Sequence, residues 1–142
     1  MLYVDTSALL PFYRSEPASN AIEQLFLAQE APLLISELTR VEFASALARW
    51  VRMGELTEPQ ANRVESAFHD DLHEGCFRSV RLDHFVFDRA MHWLLTRRTS
   101  LRALDALHLA CAQSSDATLL TLDEVLHSAA EFFGVATHPG LQ

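Results

Sequence analysis

The sequence predicts an α/β fold in which a mainly parallel central sheet lies between two layers of helices, a three-layer α/β/α sandwich. Three observations lead to this prediction. Short apolar runs alternate along the chain with longer stretches whose apolar residues have helical spacing. The 142 residues are 49% hydrophobic, enough for one proper core, and no linker or repeat divides residues 1–142 into separate domains. Strands separated by helices form βαβ units, and such units build parallel sheets covered on both faces.

The first predicted elements are a strand, a helix and a second strand. Residues 2–4 (LYV) form a short apolar run that stops at Asp5. Residues 18–29 place apolar side chains at helical spacing, which predicts a helix. Residues 33–35 (LLI) are the second apolar run, so a first βαβ unit is expected.

Two long helices are predicted next. Residues 37–53 contain neither glycine nor proline and are followed by Gly54, which should end the helix. Thr57 is suited to cap the next helix, and Pro59 is suited to its first turn. This more polar helix is expected to reach about His73.

The second half of the chain continues the alternation of strands and helices. The predicted elements are, in order, a strand at 77–82, helices at 84–98 and 102–113, a strand at 117–122, a helix at 124–133 and a short last strand at 135–137. The alternating FRSVRL and the apolar ATLLTL predict the two main strands.

Composition excludes several classes of protein. No stretch is long and apolar enough to cross a membrane, and no basic segment of the secretory type precedes the first apolar run. Cys76 and Cys111 are therefore expected to be free thiols in a reducing cytoplasm. The formal net charge of -8 disfavours broad electrostatic binding to nucleic acid or anionic membranes, although a local basic strip remains compatible with it.

Two carboxylates follow directly on predicted strands. Asp5 follows residues 2–4, and Asp123 follows the LLTL run. Ligands bind beyond the carboxyl ends of the strands in an open parallel sheet, so both acids are expected at the same edge. Each is equally consistent with a cap of the helix that follows it, which is a common role of Asp.

Two further acids interrupt helices that are otherwise largely apolar. Asp105 and His108 lie one turn apart in DALHLACA, whose other side chains suit a buried helix. Glu42 lies on a narrow polar stripe of the 37–53 helix. A buried carboxylate is costly unless it is paired or binds a metal. The structural alternatives are a helix cap for Asp105 and a solvent-exposed face for the stripe that contains Glu42.

Several carboxylates at one edge would repel each other, and a divalent cation removes that repulsion. Ligand sets made only of oxygen select hard ions such as Mg²⁺ or Mn²⁺. Such a site can polarise a phosphoryl oxygen and activate a bound water. The pattern of acids therefore indicates metal-assisted hydrolysis of a phosphodiester.

The chain has no lysine, since all 11 basic residues are arginines. Haloacid-dehalogenase-like phosphatases and response-regulator receivers need a lysine, and the former also need an Asp where this chain has Ser7. Neither GxxxxGK[ST] nor GxGxxG is present. His69, His73 and Cys76 have a spacing that could hold zinc, but their polar helix and the lack of an evident fourth ligand argue against it.

Four motifs resemble those of PIN-domain ribonucleases, and the chain is most similar in size and arrangement to the VapC-type toxins of toxin–antitoxin pairs. The motifs are VDTSALL, ELTRVEFASAL, DALHLACA and LLTLDEVL, which together span essentially the whole chain. The resemblance implies a PIN-like α/β/α fold over residues 1–142. It also implies a catalytic, metal-binding quartet, which is Asp5, Glu42, Asp105 and Asp123. The supporting residues are Thr6, Ser7 and Thr121, to which we add His108 on the face of Asp105.

The function implied by the resemblance is that of a metal-dependent endoribonuclease toxin, which uses Mg²⁺ or Mn²⁺ and an activated water to hydrolyse RNA. The resemblance also implies that the substrate is a particular loop of a transfer or ribosomal RNA, which agrees with the general preference of sequence-specific RNA recognition for exposed loops. The partners implied are a cognate antitoxin and a second copy of the chain in a homodimer. The alternatives are a non-catalytic PIN-like module that binds RNA or a partner, a housekeeping PIN nuclease, and a phosphatase acting on small phosphoesters.

Overall fold

The computed structural model describes residues 1–140, and these contain four strands and seven helices. The elements are, in chain order, β1 (Leu2–Val4), α1 (Thr6–Tyr13), α2 (Ser19–Leu27), β2 (Leu33–Ser36), α3 (Glu37–Arg52), α4 (Glu58–His73), β3 (Phe77–Val80), α5 (His84–Thr96), α6 (Ala103–Ser114), β4 (Thr118–Leu120) and α7 (Glu124–Phe132). Helix α1 was not among the elements predicted from the sequence.

All four strands are parallel and lie in the order β3-β2-β1-β4. The first and last strands of the chain are therefore neighbours, with Val4 opposite Leu120. The strand order reverses between β1 and β4, and ligand sites of open α/β sheets lie outside the carboxyl ends of the strands at such a point. The predicted parallel sheet is confirmed.

Strand β1 has its predicted bounds and β2 extends one residue further, to Ser36, but β3 and β4 are shorter than predicted. Strand β3 ends at Val80 rather than at residue 82, because Asp83 is already the cap of the next helix. Strand β4 covers Thr118–Leu120 rather than 117–122. The strand predicted at 135–137 is wrong: only Thr137 forms an isolated bridge, with Leu119.

Helices cover both faces of the sheet, as predicted. Alternate residues of a strand point to opposite faces, so Val4 and Tyr3 of β1 enter different apolar clusters. The Val4 cluster contains side chains from α1 to α4, and the Tyr3 cluster contains side chains from α5, α6 and α7. The strands thus form the middle layer of three.

Local signals explain where the helices begin and end. The Thr57 hydroxyl accepts a hydrogen bond from the Gln60 backbone N–H at 3.2 Å, so the predicted cap of α4 is confirmed. Gly54 follows α3 with a φ of 75°, a conformation that glycine adopts readily.

The apolar surface of α3 is not wholly buried, since Val41 is 70% exposed. No helix within residues 1–140 has both the length and the apolar content needed to cross a bilayer.

Candidate active site

The candidate site lies at the carboxyl edge of the sheet, where β1 and β4 end side by side. Asp5 directly follows β1, and its backbone N–H donates to the Leu120 carbonyl at 3.2 Å. Thr121 follows β4 at the same level. This edge is where the strand order reverses, so the structure puts the first predicted acid at the expected location for a ligand site.

Asp5 is only 5% exposed and accepts three hydrogen bonds. Oδ1 accepts from the Ser7 hydroxyl at 2.8 Å and from the Ala8 backbone N–H at 3.2 Å, while Oδ2 accepts from the Thr121 hydroxyl at 2.8 Å. The bond from Ala8 caps α1, so Asp5 does have the helix-capping role that was the alternative to a ligand role. Burial nevertheless raises the pKa of Asp5 to about 6, although His108 and the hydroxyl donors oppose this shift. A carboxylate whose burial disfavours its ionised form is a candidate functional group.

Glu42 lies half-buried in the second turn of α3 and is held through one oxygen. Oε1 accepts a hydrogen bond from the Thr6 hydroxyl at 2.7 Å and also contacts Nε2 of His108. Burial acts to raise the pKa of Glu42, but the hydrogen bond and charge of His108, with the bond from Thr6, outweigh it and lower the pKa overall. Glu42 is therefore held in its ionised form.

Asp105 lies in the first turn of α6 but does not cap this helix. The cap position is occupied by Arg102, and among residues 1–140 no hydrogen bond to the Asp105 carboxylate is present. Its pKa is raised, first by partial burial and then by the negative charge of Asp123, with a smaller effect of Glu42, while Arg102 and His108 oppose the shift. Asp105 is therefore not the capping residue, although its place in the first turn of α6 lets its negative charge interact favourably with the helix dipole.

Asp123 caps α7. Its Oδ1 accepts from the backbone N–H groups of Val125 at 2.8 Å and Leu126 at 3.3 Å. Its own backbone N–H donates to the Thr121 hydroxyl at 3.0 Å. Within residues 1–140, Oδ2 of Asp123 has no hydrogen-bond donor, so capping leaves this oxygen free.

The predicted supporting residues all contact the acids or one another. Ser7 and Thr121 hydroxyl oxygens lie 3.2 Å apart, and the Leu122 backbone N–H donates to Ser7 at 3.0 Å, which ties the end of β1 to the end of β4. The Thr121 hydroxyl contacts two of the acids, because it donates to Asp5 and accepts from the backbone N–H of Asp123. Thr6 and His108 both contact Glu42.

Sequence reasoning missed two residues behind the site. The hydroxyl of Tyr3 donates to the Ser36 hydroxyl at 2.9 Å and lies 2.7 Å from Nδ1 of His108. The sequence did offer a signal for Tyr3, because it carries a hydroxyl in the middle of the apolar run 2–4 and a buried tyrosine hydroxyl usually needs a hydrogen-bond partner. That signal does not say which partner the hydroxyl finds.

The donor set at this edge suits a hard cation. Every predicted ligand is a carboxylate, and three of them keep free oxygens: Oε2 of Glu42, Oδ2 of Asp123 and both oxygens of Asp105 accept no hydrogen bond from residues 1–140. The charges of Asp123 and Glu42 both act on Asp105, which is the repulsion that a cation would relieve. Oxygen-only ligands of this kind fit Mg²⁺ or Mn²⁺.

A tighter acidic group lies at the opposite edge of the sheet. It consists of Asp71, Glu74 and Cys76, whose ligand atoms lie within 4.8 Å of one another. Among residues 1–140, no other three His, Cys, Asp or Glu side chains come this close together. The group lies at the end of α4, just before the amino end of β3, so it is remote from the strand ends that carry Asp5 and Thr121. The ligand atoms of the predicted quartet are therefore spaced more widely than those of this group.

Known proteins share this sequence pattern and fold. The PIN-domain family model matches residues 2–132. Ribonuclease VapC46 of Mycobacterium tuberculosis is 33% identical over 138 residues, which cover 95% of this chain and 94% of that protein.

Solved structures have the same fold. The sarcin-ricin loop cleaving toxin VapC20 of Mycobacterium tuberculosis superposes with a TM-score of 0.68 at 13% identity, covering 91% of this chain and 95% of that one. A toxin–antitoxin complex from Klebsiella pneumoniae contains a chain that superposes with a TM-score of 0.60 at 20% identity, with 87% of each chain covered. With a matching family model over most of its length and a relative of this similarity, the chain belongs to the PIN-domain family.

Proposed function

We propose that the protein is a metal-dependent endoribonuclease and the toxin of a toxin–antitoxin pair. Asp5, Glu42, Asp105 and Asp123 are the proposed ligands of Mg²⁺ or Mn²⁺ and the catalytic acids. The observation that carries the proposal is Asp105, which is half-buried beside the charges of Asp123 and Glu42 without capping a helix or accepting a hydrogen bond from residues 1–140. Partial burial and the two neighbouring negative charges disfavour ionisation of Asp105, and a cation at the site would offset both effects.

The residues of this chain have separable tasks in the proposed reaction. The buried Asp5 and the half-buried Glu42 are held by hydroxyl donors, so their carboxylates are oriented before substrate arrives. Asp105 and Asp123 contribute oxygens that no donor in residues 1–140 engages. A bound cation would supply charge for the phosphodiester in the transition state and activate the attacking water.

The comparisons with known proteins support the proposed substrate and antitoxin partner. We propose RNA as substrate, because the relatives include a protein named as a ribonuclease and one named as cleaving the sarcin-ricin loop. A cognate antitoxin is proposed because a structural neighbour is a toxin–antitoxin complex. A homodimer is supported by the exposed apolar side chains of Phe85, Met91 and Leu95 on α5.

The proposed place of action is the cytoplasm, and the proposed unit is a single domain over residues 1–142. Both cysteines are free thiols: Cys76 is exposed and Cys111 is buried. Free cysteines are typical of a reducing compartment.

The proposal is tested by replacing Asp105 with Asn. Asp105→Asn should lower RNA cleavage in Mn²⁺ by roughly 100-fold or more, since metal stabilisation of transition-state charge is worth several kcal/mol. The folded protein should be as stable as the wild type or slightly more stable, because the substitution removes a destabilised charge. The matched control is Asp88→Asn, which removes an exposed carboxylate that contacts His84 on α5.

Cleavage sites are mapped by sequencing RNA 5′ ends after brief induction, with Asp5→Ala as the inactive reference. Full cleavage by Asp105→Asn or Asp5→Ala would overturn the proposed site. Growth arrest on expression that a small co-expressed antitoxin relieves would distinguish a toxin from a housekeeping nuclease.

A further inference from the structure

A buried chain of hydrogen bonds leads from the centre of the sheet to Glu42. It consists of Ser36, Tyr3 and His108, none of which is more than 2% exposed. The Tyr3 hydroxyl donates to Ser36 Oγ at 2.9 Å and lies 2.7 Å from Nδ1 of His108. On the other side of the ring, Nε2 of His108 contacts Oε1 of Glu42. The chain links β1, β2 and α6 to α3, four elements that meet behind the site.

The chemistry of these groups fixes the orientation of the imidazole ring. A carboxylate has no hydrogen to donate, so Nε2 of His108 carries the hydrogen of the contact with Glu42. The single hydrogen of the Tyr3 hydroxyl goes to Ser36, so the contact between Tyr3 and Nδ1 needs a hydrogen on Nδ1 as well. Rotating the ring by half a turn would put carbon atoms where Nδ1 and Nε2 now lie. The Tyr3 hydroxyl and Glu42 would then each lose a buried partner, which is costly. Tyr3 therefore holds the ring with Nε2 towards Glu42.

The consequence for Glu42 is that its two oxygens are not equivalent. Oε1 is engaged twice, by Thr6 at 2.7 Å and by His108. Oε2 accepts no hydrogen bond from residues 1–140. We infer that Tyr3 and His108 are positioning residues, which hold Glu42 by Oε1 so that Oε2 is free to bind the cation. This inference rests on the proposed metal site.

A purely structural role for the same chain predicts a different result. If Tyr3 and His108 serve only as hydrogen-bond partners of each other in the core, replacing either one lowers the stability of the protein. The affinity of the folded protein for metal then stays unchanged. If they position Glu42, the affinity for metal falls in protein that is still folded. Partners of metal ligands typically contribute 10–100-fold to metal affinity or activity.

The experiment measures Mn²⁺ binding by isothermal titration calorimetry on the full chain without RNA. His108→Leu removes the donor to Glu42 and is expected to raise the dissociation constant roughly 10–100-fold. His108→Gln places an amide N–H₂ near the position of Nε2 and is expected to keep the affinity close to that of the wild type. Saturating Mn²⁺ should restore most of the RNA cleavage of His108→Leu, because the ligand is displaced rather than deleted.

Tyr3→Phe tests the far end of the chain, and Tyr13→Phe is its matched control. Both variants delete one hydroxyl and keep the ring, but the Tyr13 hydroxyl donates to Asp71 at 2.5 Å, away from the site. Because Asp71 belongs to the separate acidic group at the end of α4, both variants are compared in an Asp71→Asn background. In that background Tyr3→Phe is expected to weaken Mn²⁺ binding, and Tyr13→Phe to leave it unchanged. This pair decides the question if His108→Leu does not fold, and equal affinities of the two variants would overturn the inference.

The remaining outcomes separate the inference from the proposed function. Wild-type Mn²⁺ binding together with unchanged affinity in folded His108→Leu would overturn the positioning role and leave the proposed nuclease intact. If the wild type neither binds Mn²⁺ nor cleaves RNA, the proposed function fails and the inference fails with it. In a Glu42→Gln background, His108→Leu should cause little further loss of affinity, and a full additional loss would contradict an action through Glu42.

Discussion

Asp5 caps a helix and is also one of the proposed metal ligands. It caps α1, yet its burial raises its pKa to about 6, which a surface cap would not need. The folded protein therefore binds a proton at Asp5 more tightly than the unfolded chain does. Between about pH 4 and pH 6 this contribution lowers the stability of the metal-free protein as the pH rises.

Asp5→Asn should remove that pH-dependent loss. In EDTA, the variant is expected to be about 1–3 kcal/mol more stable than the wild type above pH 6, because Asn can still cap α1 and is never ionised. Below about pH 4 the advantage should vanish, since Asp5 is then protonated in both states. Urea unfolding at both pH values measures the difference, and an advantage independent of pH would contradict the pKa shift.

At the residue scale, sequence patterns located the acids better than their partners. Asp5 and Asp123 could be predicted because each directly follows an apolar run. The bond from Thr121 to Asp5 could not be predicted, because it joins residues 116 positions apart and depends on the register of β1 against β4. Nor could the sequence separate a cap from a metal ligand, and the structure shows that Asp5 and Asp123 do cap helices.

At the element scale, two substitutions of Asp123 separate its contribution to α7 from its contribution to the site. Asn is as good a cap as Asp, so Asp123→Asn should retain stability and lose RNA cleavage. Asp123→Ala should lose cleavage and also about 0.5–2 kcal/mol of stability. Chemical denaturation and cleavage assays on the same preparations test this, and equal stability of the two variants would show that the cap contributes nothing.

Helices were easier to predict than strands. The lack of glycine and proline in 37–53, the glycine that follows it and the Thr57 cap placed α3 and α4 within one or two residues of their observed ends. The predicted strands at 77–82 and 117–122 were too long, because apolar alternation continues past the last ladder hydrogen bond. What ends β4 is the turn in which Thr121 and Leu122 bond to Asp5 and Ser7, and these are tertiary contacts.

At the scale of the whole molecule, metal binding should appear as added stability. Saturation at 100 times the dissociation constant contributes about 2.7 kcal/mol, so Mg²⁺ or Mn²⁺ should raise the melting temperature by roughly 5–10 °C. Differential scanning calorimetry with and without EDTA measures the shift. NaCl of equal ionic strength controls for screening of the net charge of -8, and Asp105→Asn should show a much smaller shift. Equal shifts in both proteins would indicate binding elsewhere, for which Asp71, Glu74 and Cys76 are the first group to test.

The adjacency of β1 and β4 also bears on how the protein is made. Strand β4 is the last in the chain, yet it is the neighbour of the first and brings Thr121 to Asp5 and Asp123 to the same edge. A nascent chain that has reached only α6 already contains Asp5, Glu42 and Asp105, but it lacks the strand that completes their surroundings. If the proposed nuclease needs Asp123, its activity would begin only after the segment that contains β4 and α7 has left the ribosome, so we expect the unfinished chain to spare the RNA of the ribosome that is translating it.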